Sequence, residues 1–188
     1  MRLAVVARIL FILALGCVSH SVLAGSRDVN YTKSELKFTV TQMGVAVDGN
    51  FKKFAAKLTF DPANVAGASA QIEIDMNSVD TGTDDGDTEV KRKPWFNIKE
   101  FPTAKFVSSS LKKKSDKLFE ATGKLSIKGK TRDVVLPFNM SDDGSTLSGQ
   151  FTLKRLEFAI GDGPWNDPEV VADEVTVKYK LALAPLKK

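Results

Sequence analysis

One cysteine and one histidine are all that the 188-residue sequence holds. Both stand near its start, as Cys17 and His20, inside a stretch with the marks of a secretory leader. Arg2 and Arg8 supply a positive beginning, Ile9 to Leu15 an apolar run, and Val22-Leu23-Ala24 a small-residue cleavage pattern before Gly25. The apolar run falls short of the about 20 residues a membrane helix needs, so no stable membrane span is expected after cleavage. Ala14-Leu15-Gly16-Cys17 has its leucine one place late for a lipoprotein signal. The reading is therefore a signal peptide over residues 1–24, cleaved after Ala24, and a periplasmic mature chain.

Cleavage takes the thiol and the imidazole with it. Disulfides, thiol nucleophiles, Ser-His-Asp or Cys-His catalysis and zinc sites built from cysteine or histidine are then excluded by composition. It also removes two of the 27 basic residues and none of the 23 acidic ones, so the formal net charge falls from +4 to +2. That balance is too even for a nucleic-acid partner. What is left, residues 25–188, is one domain's worth and shows no repeat, low-complexity tract or linker. A chain of that size buries roughly 70% of its unfolded surface and needs no disulfide staple.

What is there is mostly alternation with a period of two, the mark of strands buried on one face. Leu36, Phe38 and Val40 form one inward row, and Phe54, Ala56, Leu58 and Phe60 a second, with Gly44 and Gly49 loosening the connection between them. Ala70, Ile72, Ile74 and Met76 form a third. Later rows are Ala104 to Ser110, Phe119 to Ile127, Val134 to Met140, Leu147 to Leu153 and Val175 to Leu183, taken at alternate positions. Asp143-Gly144 reads as a hairpin turn, since both residues tolerate positive φ. One helix is expected over residues 84–93, with Thr83 as its cap. Asp84, Asp85 and Asp87 sit at its start and Lys91, Arg92 and Lys93 at its end, an order that suits the helix dipole. The acidic cluster lacks the spacing and closing glutamate of a calcium loop, so capping is the better account.

These elements predict an all-β fold: an eight-stranded antiparallel barrel with one short helix between the third and fourth strands. A barrel of eight strands either fills with side chains or holds one small ligand. The inward rows mix phenylalanine with Ala56, Ala70, Ala121, Gly123 and Gly149, which leaves space where a packed core would want bulk. Few polar groups point inward, so that space suits an apolar guest.

The densest aromatic stretch, Trp95-Phe96-Asn97-Ile98-Lys99-Glu100-Phe101-Pro102-Thr103-Ala104-Lys105-Phe106, lies between Pro94 and the strand that starts near Thr103. It resembles a signature segment of the YceI-like family. Gly123 to Arg132 is similar to that family's glycine-bounded hairpin. Gly49-Asn50-Phe51 with Phe60-Asp61-Pro62, Ser78 to Gly82, and Arg155 to Gly161 resemble further segments in the same order. Many members carry an Arg-Asp-x-His-Leu run before the paired aromatics. Here Asp87-Thr88-Glu89-Val90-Lys91 stands in its place, so no role of that histidine carries over.

The resemblance implies a lipocalin-like barrel, exported, that holds a long isoprenoid lipid, either a polyprenyl lipid or a quinone tail. The residues expected to line the ligand space are Phe38, Phe54, Leu58, Ile72, Ile74, Trp95, Phe96, Phe106, Phe119, Ala121, Leu125, Phe138, Phe151 and Tyr179. Arg155 and Trp165 are candidates to meet a headgroup, Arg155 competing with an ion pair to Glu157 or Asp162. No cofactor is expected beyond such a bound lipid or quinone, no metal, and no catalysis. The alternative is a filled barrel that acts as a partner of a membrane quinone or cytochrome redox complex. An enzyme would have to work with carboxylates alone, from the acids Glu157, Asp162, Asp167, Asp173 and Glu174 near the last loop.

Overall fold

The structure is a computed structural model that describes residues 26–184. The expected secretory leader and cleavage site lie outside the described residues. Within them the strands are β1 (Ser26–Arg27), β2 (Glu35–Gln42), β3 (Val45–Phe51), β4 (Phe54–Thr59), β5 (Ser69–Asp75) and β6 (Val79–Asp80). After the helix α1 (Asp84–Val90) come β7 (Thr103–Lys113), β8 (Leu118–Ile127), β9 (Lys130–Met140), β10 (Thr146–Lys154) and β11 (Val171–Ala182). They form a single antiparallel sheet in the order β1-β4-β5-β7-β8-β9-β10-β11-β2-β3-β6, strongly curled into a half-barrel.

All eight expected rows are strands, and the helix falls between the third and fourth of them, β5 and β7. The count is nevertheless eleven, not eight. The main addition is β3, which the two glycines concealed. Met43 and Gly44, both at positive φ, make the turn that returns the chain against β2. Gly49 then pairs with Phe38 across the ladder. A Cβ on Gly49 would lie 2.2 Å from the Phe38 ring, so this glycine makes room for an aromatic within a strand.

The expectation of a closed barrel is also corrected. β3 and β4, joined by Lys52 and Lys53 alone, share no ladder. Each free edge is blunted locally, as edges must be if they are not to template aggregation. β1 covers β4 at Leu58 and Thr59, and β6 covers β3 at Asn50 and Phe51. Farther along β4 a phenol replaces a strand. The Tyr31 hydroxyl accepts from the Ala56 N–H at 3.0 Å and donates to the Ala56 carbonyl at 3.4 Å.

The helix ends at Val90, three residues earlier than expected. Thr83 caps it, accepting from the Gly86 N–H at 3.1 Å. Pro94 has no N–H and disfavours helical backbone at Lys93, and the chain tightens before reaching it. The Arg92 N–H bonds to Glu89, three residues back, at 3.0 Å. Lys91, Arg92 and Lys93 thus lie beyond the last helical residue.

In β7 a bulge between Ser108 and Ser110 shifts the register. Leu111 takes the inward place that simple alternation assigned to Ser110, which is exposed. One end of the half-barrel is packed by Phe60, Phe119 and Phe138. Phe119 and Phe138 stack at 5.4 Å and Phe60 meets each edge-on. Such aromatic contacts add about 0.5–1.5 kcal/mol each beyond burial.

Candidate functional site

Between that aromatic plug and the segment around α1 lies a cavity of about 460 Å³, within the range of small-molecule sites. Its wall is built by the inward rows of the sheet and is almost entirely apolar. Phe38, Leu58, Ile72, Ile74, Trp95, Phe96, Phe106, Ala121, Leu125, Phe138, Phe151 and Tyr179 all stand on it. Phe54 and Phe119 do not. Phe54 faces a separate slot beside Tyr31, its ring 5.6 Å from the Tyr31 ring, and Phe119 is wholly enclosed in the plug. Phe54 stands at the free edge of β4, and Phe119 is at the end of its row, where neighbours close over it.

The wall also contains residues that reasoning on the sequence did not single out. Val47 and Phe51 come from β3. Thr81, Thr83, Gly86, Glu89 and Val90 bring the turn and helix over residues 81–90 to the cavity. The alternation of Val45 and Val47 was the available signal, interrupted by Gly49. For the helix no periodic signal existed, because seven residues are too few to show one.

The small inward residues divide into two kinds. Ala70 and Ala121 face the cavity. Gly123 and Gly149 leave no vacancy. A Cβ on Gly123 would lie 2.3 Å from the Val107 carbonyl oxygen, and one on Gly149 would lie 2.1 Å from the Pro137 oxygen and 2.6 Å from the Tyr179 hydroxyl. At Gly149 the tyrosine ring fills the place a side chain would take, and its hydroxyl donates to the Pro137 carbonyl at 2.7 Å.

Arg155 and Trp165 are both at the wall, but the guanidinium is not free. Arg155 is 1% exposed and its five N–H groups donate to five backbone carbonyls. Nε reaches Ala172, Nη1 reaches Ile160 and Gly161, and Nη2 reaches Trp165 and Val171, at 2.6 to 3.1 Å. Its Cζ lies 5.9 Å over the Trp95 ring, and Trp95 meets Trp165 at 5.5 Å. Burial lowers its pKa, and the fields of Asp173 and Asp162 oppose that shift. Neither expected ion pair forms. Glu157 pairs with Arg132 at 3.8 Å and Asp162 with Lys128 at 3.0 Å.

Lys128 is a second buried cation serving the backbone. Its ammonium donates to the Pro94 carbonyl at 3.1 Å and to the Ala159 carbonyl. The Pro94 oxygen also accepts the N–H groups of Gly161 and Asp162, both at 2.9 Å. The two cations thereby lock the aromatic crossing, the β8–β9 turn and the 155–171 loop into one rim. Of the five acids near that loop, none is on the cavity wall. Among the described residues no group of three or more acidic side chains is placed to hold a metal ion.

Comparison with known proteins places this architecture. The YceI-like domain matches residues 28–183. Protein YceI of Salmonella arizonae is 33% identical over 140 residues, covering 69% of this chain and 73% of that protein. The crystal structure of BcnA from Burkholderia cenocepacia is 41% identical and superposes with a TM-score of 0.80, covering 84% of this chain and all of that one. A polyisoprenoid binding domain from Saccharophagus degradans, implicated in plant cell wall breakdown, shares the fold at 19% identity. Its TM-score is 0.62, and the match covers 87% of this chain and 99% of that one. A curled antiparallel sheet around an apolar cavity, matched along nearly the whole described chain, makes this protein a member of the YceI-like domain family.

Proposed function

We propose that the protein is an exported, periplasmic carrier or store for a long isoprenoid chain, held in the cavity as a polyprenyl lipid or a quinone tail. The observation that carries the reading is the cavity itself: about 460 Å³ of space with an apolar wall whose one arginine is fully engaged. Each methylene buried there is worth about 0.8 kcal/mol, so an extended hydrocarbon gains affinity without precise polar contacts. A small polar substrate would meet few polar groups on so apolar a wall. The fold likeness to a polyisoprenoid binding domain agrees with this choice of guest.

Lipid extraction of protein purified without detergent, followed by mass spectrometry, tests the reading. Stoichiometric recovery of an isoprenoid chain is expected. Recovery of nothing, together with failure of the delipidated protein to bind any prenyl alcohol, overturns it. Intact mass tests the export reading separately: the mature chain should begin at an unmodified Gly25, and a diacylglycerol adduct on Cys17 would contradict it.

A further inference from the structure

We infer that the seam between β3 and β4 is a side opening through which the guest's head leaves the cavity, and that it takes a phosphorylated head. This rests on the carrier reading above. A second space of about 310 Å³ lies at the seam, where the chain passes from β3 to β4 without a ladder between them and the start of β2 runs alongside. Leu36 and Phe51 line both this slot and the main cavity, so those two side chains stand between the two spaces. Tyr31 also lines the slot, held by its ring contact to Phe54 and its hydroxyl on the Ala56 backbone.

The charges differ sharply between the two spaces. Among the described residues the main cavity has one cation on its wall, Arg155, and all five of its N–H groups are taken. A phosphate drawn in there would lose its water without meeting a free cation, the unpartnered Trp95 indole N–H being a single neutral donor, which is costly for a charged group. The slot carries Lys37, Lys52 and Lys53 against the single acid Glu35. Lys37 lies 2.7 Å from Glu35, and Lys52 lies 2.7 Å from Asp80, which sits outside the slot. Lys53 has no ion pair among the described residues. Counting Asp80, the site keeps a surplus of positive charge. The existing pairs are solvent-exposed and weak, so an arriving phosphate exchanges with their carboxylates at little cost. A head resting there stays partly hydrated while its chain runs inward past Leu36 and Phe51.

The test compares geranylgeranyl diphosphate with geranylgeraniol on delipidated full-length mature protein, by calorimetry at low and high salt. Wild type is expected to bind the diphosphate about tenfold more tightly, an advantage that salt removes. In the double variant Lys52→Gln/Lys53→Gln the ratio of the two affinities should fall about tenfold, as two exposed charge contacts imply. Equal affinities for both probes in wild type, or an unchanged ratio in the variant, overturn the seam assignment while leaving the carrier reading intact. Inorganic diphosphate binding as tightly as the prenyl form would also overturn it, since the slot would then be independent of the cavity. If neither prenyl probe binds wild type, the carrier reading fails first and the seam assignment with it.

Discussion

Gly161 yields the space that the Arg155 guanidinium occupies. A Cβ on Gly161 would lie 2.3 Å from Arg155 Nη1 and 3.3 Å from the Trp95 ring, and its φ of +77° already favours glycine. The pair holds the rim of the cavity in one arrangement, because the same guanidinium ties together the loop carbonyls from Ile160 to Ala172. Its role is architectural, fixing where Trp95 and Trp165 stand.

Arg155→Met should therefore cost well over 3 kcal/mol in denaturant unfolding. Five carbonyls lose their donor, and each buried polar group left unpaired costs about 1–3 kcal/mol before relaxation. Arg155→Lys should recover only part, since three donors cannot serve five acceptors. A loss under 1 kcal/mol for the methionine variant would contradict the clamp.

Ala121→Phe separates an occupied cavity from a packed core. Ala121 is 4% exposed and stands on the cavity wall. If the space belongs to a guest, the added ring should displace lipid and leave delipidated protein as stable as wild type or more so. Gly123→Ala, two residues along the same inward row, should instead lose about 1–3 kcal/mol, because its Cβ meets backbone rather than space. Thermal unfolding of both variants after lipid extraction reads the contrast. A clearly lower midpoint for Ala121→Phe would refute it.

Gly49→Ala should destabilise by about 1–3 kcal/mol through its collision with Phe38. Shortening the partner should relieve this, so Gly49→Ala/Phe38→Leu is expected to lose less than the sum of the two single changes. Strict additivity in the double-mutant cycle would show that ring and glycine are not coupled.

Two groups set the pH limits with opposite signs. The Asp143 carboxyl is held down to about 2 by the Ser141 hydroxyl, then the Ser145 hydroxyl and amide. Its folded pKa lies below the unfolded one, so its support of the β9–β10 turn is present above about pH 4 and lost as pH falls toward 2. Carboxyl NMR should place its midpoint near 2; an ordinary midpoint near 4 would refute the account. Burial raises the pKa of the Tyr179 phenol above its usual 10.0. Its contribution is present below pH 10 and lost as pH climbs above it. In a Tyr31→Phe background, which leaves one tyrosine, phenolate absorbance should appear only as the protein unfolds. Ionisation of the folded protein near pH 10 would show the ring to be solvated.

The sequence by itself determined the eight long rows as strands, because alternation with a period of two survives whatever the rows pack against. It also determined where α1 starts, since Thr83 and the acids after it act locally. Tertiary structure alone decided β3, because Gly49 breaks the inward row in the chain yet completes it in space against Phe38. It decided which small residues leave room: Ala121 faces a cavity and Gly123 a neighbouring backbone, a difference that depends on strands distant in sequence. It decided the partners of Arg155 too. Every residue carries a carbonyl, so five of them converging on one guanidinium leave no mark in the order of side chains. The seam was hidden for the same reason, since whether β3 and β4 pair depends on the path each takes around the curled sheet.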